Sequence, residues 1–264
     1  MLIDITYSCK MGCTHCMSDC KPDGQHMSIQ TFKDTLKFLK ENNIFPWNFS
    51  GGEMFENPDI LEMLQILEKE WNKKFPILFA TNGRELARNK EIYHAVSSLV
   101  KRYGKKLIMI QVTDDERFYP DKLSVKEKYW LEKIVMTIEP VPGDKKDRDK
   151  CLYPQGRALQ NFSEENWRTI APKCANVKLF VKQGCLSVKG LNSMLIAHGK
   201  MCTPTIAPDG SIKIGESALC PAVASIYDDD KTIINKISNF RCHQCKIPWS
   251  KLKENNINAY NMIW

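Results

Sequence analysis

Apolar positions along the chain follow two alternating periods. Short runs rich in β-branched and aromatic residues read as strands: LIDITY (Leu2–Tyr7), FPWNFS (Phe45–Ser50), PILFAT (Pro76–Thr81), LIMIQVT (Leu107–Thr113), IVMTIEPV (Ile134–Val141) and VKLFV (Val177–Val181). Between them the apolar residues recur at helical spacing. Ile29, Phe32, Leu36 and Leu39 mark one helix face, with Ser28 placed to cap it. Ile60, Leu64, Leu67 and Trp71 mark a second, opened by Asn57 and Pro58, and Ile92, Val96, Leu99 and Tyr103 mark a third.

Strand starts at 2, 45, 76, 107 and 134 recur at a spacing near the ~30 residues of one βαβ unit. Such units build a parallel sheet with right-handed crossovers. Six of them fall short of a closed eight-unit barrel, so the expected fold is α/β, an open, partial (β/α)6 barrel. After about residue 190 the pattern changes. CTPTIAPDGSIKIG (Cys202–Gly215) reads as a hairpin turning at Asp209 and Gly210, and no helix comparable to the earlier ones is read after it. The expected division is 1–190 for the barrel and 191–264 for a small hairpin-plus-helix domain.

Composition narrows the picture. Hydrophobic residues at 43% and charged residues at 26% suit a globular protein, and no apolar run reaches the ~18 residues of a membrane span. The cysteines begin where the apolar core of a signal peptide would lie, so a cytoplasmic location is expected, with no membrane partner. The net charge of +7 is spread along the chain, without a basic, aromatic-interleaved stripe, and nucleic acid is not an expected partner. Eleven cysteines in a reducing compartment point to metal ligation ahead of disulfides.

The first cysteine group is SCKMGCTHC, in which Cys9, Cys13 and Cys16 have the spacing C-x3-C-x2-C. Soft thiolates this close on one loop suit zinc or an iron–sulfur cluster. Zinc would need a fourth ligand, for which His15, Cys20 and His26 are at hand. A cubane held by three thiolates instead leaves one iron open. The second strand ends in SGGE, where Gly51 and Gly52 permit close approach to the backbone and Glu53 can accept hydrogen bonds from an amino group. In a parallel sheet the ligand lies beyond the carboxyl ends of the strands, where Glu53, then Thr81, Asn82 and Gly83, then Thr113, Asp114 and Asp115 fall.

These motifs together resemble the radical S-adenosylmethionine (radical SAM) superfamily. The resemblance implies a [4Fe–4S] cluster on Cys9, Cys13 and Cys16 whose open iron binds the amino and carboxylate groups of SAM. It implies that Gly51, Gly52 and Glu53 contact the methionine amine, that Thr81, Asn82 and Thr113 serve the carboxylate and ribose, and that His15 stands where relatives place an adenine-contacting aromatic. GRA (Gly156–Ala158) also recurs near the cofactor in related enzymes, which brings in Arg157, although that arginine is equally suited to opening a helix.

The second cysteine group is Cys202, Cys220, Cys242 and Cys245, C-x17-C, a gap, then C-x2-C. Read alone it suits a structural zinc ribbon. Beside the first group it resembles the Twitch domain, the shortened SPASM domain that holds an auxiliary [4Fe–4S] cluster. Four thiolates leave no open iron, so the implied role is electron transfer. The implied reaction is reductive cleavage of SAM, hydrogen abstraction by the 5′-deoxyadenosyl radical, and a net oxidation or bond formation with the auxiliary cluster as electron acceptor. That describes a radical SAM oxidoreductase, either a dehydrogenase or a peptide maturase, reduced by flavodoxin or ferredoxin. Cys20, Cys151, Cys174 and Cys185 read as buried small residues, or, for one that faces the cavity, as a hydrogen-atom donor or cluster ligand.

A proton acceptor is expected among Asp114, Asp115, Glu116, Tyr119 and Glu139, with Asp114 or Glu139 favoured. The substrate is a ribosomally made peptide or a small amino-sugar-like metabolite; the absence of an N-terminal extension to hold a leader speaks for the second and the resemblance allows both. A non-catalytic zinc or iron–sulfur binding module is the alternative from a different class.

Overall fold

The computed structural model describes residues 1–143, 148–168, 187–197 and 203–240. The chain divides into two compact units. The first comprises Met1–Cys13, Cys20–Val141 and Ile206–Gly210, and the second Thr14–Asp19, Pro142–Thr205 and Ser211–Trp264.

The first unit is a parallel α/β sheet. Strands β1 (Leu2–Asp4), β2 (Trp47–Ser50), β3 (Ile77–Thr81), β4 (Ile108–Thr113) and β5 (Thr137–Glu139) pair each with the next, all parallel. Helices α1 (Ile29–Glu41), α2 (Ile60–Glu70), α3 (Arg84–Arg88), α4 (Lys90–Tyr103) and α5 (Val125–Glu132) fill the connections. Ile3, Phe49, Phe79 and Ile110 stand opposite one another across four strands and are sealed from solvent. Phe49 meets Phe32 of α1 and Phe79 of β3 with ring centroids 5.9 Å apart in both cases. Side chains alternate along a strand, so Asn48, Leu78, Met109 and Gln111 face the other way and are half-buried or exposed. One sheet face is thus closed by helices and the other left accessible.

Local signals place the helices. Ser28 accepts the Thr31 N–H and starts α1, Asn89 accepts the N–H groups of Glu91 and Ile92 and starts α4, and Ser124 with Glu127 forms a capping box on α5. The second helix departs from expectation. Asn57 is buried, its amide donates to the carbonyls of Ile5 and Met27, and its Oδ1 accepts the Asp59 N–H, so α2 begins only at Ile60. The strands are shorter than their apolar runs, because the segment beyond Asp4 leaves β1 to enter the cysteine loop. The expected sixth strand, Val177–Val181, lies outside the described residues.

In the second unit, α6 (Gly156–Asn161) and α7 (Val188–Ala197) precede β6 (Pro204–Ile206), whose last residue belongs to the first unit. Strand β7 (Ser211–Ile214) pairs antiparallel with β8 (Ala222–Ser225). The turn at Asp209 and Gly210 stands as expected, with Gly210 at φ +81°. A ten-residue helix, α8 (Asp230–Asn239), then follows, opened by Asp229 accepting from Thr232. Its apolar face of Ile233, Ile234 and Ile237 is buried. It is nearly as long as α2, contrary to the expectation of no comparable helix, because Asp229 caps it and the isoleucine stripe gives it a face to bury.

Candidate active site

The site is built at the carboxyl ends of β1, β2, β3 and β4 in the first unit. Beyond β1 the backbone runs along the start of the SGGE segment: Gly52 N–H donates to Thr6 O at 2.7 Å and Glu53 N–H to Ser8 O at 2.9 Å. A Cβ on Gly51 would collide with the carbonyl oxygen of Thr6, and one on Gly52 with that of Ser8 and with Cys9 Cβ. The two glycines are therefore required by the chain that leads into Cys9. Glu56 supports the same chain, accepting the Lys10 N–H at 3.0 and 3.1 Å, while Cys9 N–H donates to Lys21 O at 3.0 Å.

Glu53 is 1% exposed. Its Oε1 accepts from Thr81 Oγ1 at 2.6 Å and from Phe55 N–H at 3.2 Å, and its Oε2 accepts from Asn82 N–H at 2.7 Å. Burial pushes its carboxyl up to about 7; the bonds from Thr81, Asn82 and Phe55 act against that rise, and the nearby Glu56 charge adds to it. Every donor is neutral, and among the described residues no Lys or Arg pairs with Glu53. Three bonds leave one of its roughly four lone-pair positions. Thr81 and Asn82 thus reach the predicted rim through Glu53.

Arginine 84, not singled out from the sequence, ties this rim together. Its side chain donates to the carbonyls of Asn82 and Asp121 and to the Asp114 carboxylate, and its N–H donates to Asn82 Oδ1 at 2.9 Å. Its guanidinium lies 5.0 Å from the centre of the Tyr119 ring. Burial, then the neighbouring Cys13, Glu53 and Cys9 charges, drive the Tyr119 phenol upward against the opposing pull of Arg84.

Asp114 has both oxygens on cations, Arg84 and, at 2.7 Å, Lys128. Asp115 is buried; burial raises its carboxyl, yet bonds from the Arg117 side chain and from the N–H groups of Arg117 and Val141 hold it below the usual range. Glu139 ends β5 opposite Thr113 and is exposed. Arg84 was not legible in the sequence, because its partners Asp114 and Asp121 lie 30 and 37 residues away, whereas Asp115, named there as a rim residue, is held by Arg117 two residues on and by Val141.

The cysteine groups are placed unevenly. Cys9 and Cys13 are buried in the first unit, Cys16 is half-buried in the second, and the described cysteines are thiols without a disulfide. Among the described residues no three of His, Cys, Asp and Glu are gathered as round a single metal ion. In the second unit Gly156 has φ +53°, and a Cβ there would strike the carbonyls of Cys16 and Met17. Arg157 N–H donates to Cys16 O at 2.9 Å and its side chain pairs with Asp19 at 2.9 Å, so this arginine both opens α6 and holds the cysteine turn. His15 is half-buried. Cys220 is buried, with its sulfur against Gly215 where a Cβ would otherwise lie. Cys202, Cys242 and Cys245, with Cys174 and Cys185, lie outside the described residues. Cys20 and Cys151 are buried.

The sequence profile of the Radical SAM superfamily matches residues 3–137, just over half of the chain. The chain belongs to the radical SAM superfamily. The matched span contains the C-x3-C-x2-C loop, SGGE and the ends of β1 to β4. Over 107 residues the chain is 30% identical to the antilisterial bacteriocin subtilosin biosynthesis protein AlbA of Bacillus subtilis (strain 168), covering 40% of this chain and 22% of AlbA. The match thus spans about a fifth of that relative. Among solved structures, native anSMEcpe with bound AdoMet and Cp18Cys peptide aligns at a TM-score of 0.56 and 17% identity, covering 91% of this chain and 81% of that one. BtrN in complex with AdoMet and 2-DOIA aligns at 0.53 and 14%, covering 95% and 88%. Both likenesses show the shared radical SAM fold. No helix among the described residues is long and apolar enough to cross a membrane.

Proposed function

We propose that this radical SAM enzyme carries out a net oxidation or bond formation on a peptide substrate. The observation that carries the SAM site is the buried Glu53 carboxylate, met only by neutral donors. A buried acid without a cation favours the arrival of an amino group. The remaining lone pair of Glu53 takes that group, while Thr81 and the Asn82 N–H hold the carboxylate in place. The fit extends to sulfur: Cys9, Cys13 and Cys16 supply three soft thiolates, which suit a [4Fe–4S] cluster with one iron left for SAM. When loaded, that pair supplies the 5′-deoxyadenosyl radical by reductive cleavage of SAM.

The protein's own groups do the rest. Thr113, at the end of β4, and His15 belong to the ribose and adenine end of the site. Asp114, held by two cations, anchors Arg84. Glu139 shares the accessible sheet face with Thr113, and among the described residues no Lys or Arg pairs with it, so it is the carboxylate assigned to accept the substrate proton. Cys202, Cys220, Cys242 and Cys245 hold the auxiliary [4Fe–4S] cluster, for which the space over Gly215 leaves the Cys220 sulfur room. The electron donor is a flavodoxin or ferredoxin.

A peptide substrate is supported by the named role of AlbA in bacteriocin biosynthesis and by the peptide bound to anSMEcpe. The test is anaerobic incubation of the reconstituted chain with SAM, reductant and short peptides encoded beside its gene. Loss of two hydrogen atoms from one peptide, seen by mass spectrometry, is expected. Conversion of an amino-sugar alcohol with every peptide untouched would overturn the peptide assignment.

A further inference from the structure

Within the second unit the turn Cys16–Asp19 is gripped from two directions. On one side is α6, where Arg157 N–H donates to Cys16 O, the Arg157 side chain pairs with Asp19, and Asn161 Nδ2 donates to Thr14 O at 2.9 Å. On the other is the turn that ends at Cys220. There Ser217 Oγ donates to Met17 O at 2.9 Å and Ala218 N–H donates to Ser18 Oγ at 3.0 Å. Ser217 faces back as well, its Oγ accepting the Leu219 N–H at 3.1 Å and its carbonyl accepting the Cys220 N–H at 2.9 Å. Ser217 itself is buried, while the bonds it makes to Met17 and Leu219 are partly buried.

The geometry points to Ser217 as a positioning residue that joins the Cys220 turn to the Cys16 turn, making one hydrogen-bonded frame of these two cysteine turns. This rests on the reading above, in which both sets hold clusters. The path is short: Ser217's acceptor, Met17, is the residue next to Cys16, and one hydrogen bond joins Ser217 to the Cys220 backbone. A hydroxyl is needed because it donates to one turn and accepts from the other at once. Removing it takes the shared partner from the Met17 carbonyl and the Leu219 N–H, which loosens both turns together. Cluster potential follows hydrogen bonding and solvent access around the ligands, so a change at Ser217 in the C-terminal turn is felt at the SAM-binding cluster.

The test compares wild type with Ser217→Ala, Ser217→Thr and Ser18→Ala, and reads two quantities. In the metal-free full chain, iodoacetamide labelling is followed residue by residue by mass spectrometry, with Cys9 as internal reference. Loss of that hydrogen bond should speed labelling of Cys16 relative to Cys9 by roughly fivefold in Ser217→Ala. Ser217→Thr, which keeps the hydroxyl, should stay within about twofold of wild type on the same grounds. Ser18→Ala removes only the Ala218 link and should lie between them, and it decides the matter should Ser217→Ala fail to fold. In the reconstituted, reduced enzyme with SAM, the electron paramagnetic resonance line shape of the SAM-binding cluster should change in Ser217→Ala and return in Ser217→Thr. Labelling of Cys16 at the wild-type ratio in both alanine variants overturns the frame. A wild-type chain that binds no cluster overturns the functional reading instead, and the labelling then still judges the frame.

Discussion

The backbone N–H of Asn82 donates to Oε2 of Glu53 at 2.7 Å, joining the end of β3 to the end of β2. The SGGE segment is thereby fixed at both ends, its backbone to Thr6 and Ser8 and its carboxylate to β3. One residue thus ties the ends of β2 and β3 together and keeps a single lone pair unused.

That carboxyl makes stability depend on pH in a defined direction, and the proposed function extends the dependence to SAM binding. Its ordinary value of 4.5 is raised to about 7 in the fold, so the folded chain holds the proton more tightly than the unfolded one. The stability linked to this group is complete below 4.5, declines as pH rises to about 7, and is gone above it. A rise of that size corresponds to about 3 kcal/mol. Urea unfolding of wild type and Glu53→Gln at acid and neutral pH should show the wild type losing about that much relative to the variant. SAM affinity of the loaded wild type should rise over the same range, as the ionised carboxylate becomes available. A stability difference that is constant with pH contradicts the assignment.

Gly52→Ala should impair the site through the chain that leads into Cys9. The added Cβ would displace the carbonyl of Ser8 and crowd Cys9, a misfit of the kind that costs about 1–3 kcal/mol. The iron content after reconstitution should fall together with the thermal midpoint. Full iron loading with selective loss of SAM binding would instead show that the glycine serves the ligand alone.

Arg84 and Asp114 form a buried pair, with side chains 6% and 3% exposed. Asp114→Ala should cost about 3–5 kcal/mol by stranding the guanidinium. Lys128→Ala, removing the more exposed partner, should cost no more than about 1 kcal/mol. Urea midpoints of the two variants check the contrast, and equal losses contradict it.

The parts of this molecule that follow from local pattern were readable in the sequence. Ser28 and the Ile29, Phe32, Leu36 and Leu39 stripe specify α1 because cap and apolar face are encoded within four turns. Glu53 was readable because a glycine pair, a strand end and a carboxylate are adjacent in the chain. Asp114 was readable as a rim residue but not as an anchor, since its partner Arg84 comes from another loop, 30 residues earlier. Asn57 looked like a helix cap and instead spends its amide on Ile5 and Met27, contacts created only when β1 and β2 pair. The clamp on Cys16 joins residues about 140 and 200 positions away, which no local period encodes.

Assignment of the proton acceptor gives a separate test. Glu139→Gln should preserve SAM cleavage while lowering product formation at least about a hundredfold, the scale of general-base catalysis. Asp114→Asn, if the fold holds, should retain the pH profile of product formation. A pH profile lost in Asp114→Asn and kept in Glu139→Gln would reverse the two roles.

The most direct measurement of the central claim is anaerobic reconstitution with iron and sulfide, followed by reduction in the presence of SAM. The account predicts a brown protein that releases 5′-deoxyadenosine and methionine, with both lost when Cys9, Cys13 and Cys16 are changed together to Ala. A colourless protein that takes up zinc in preference to iron and leaves SAM intact would contradict it.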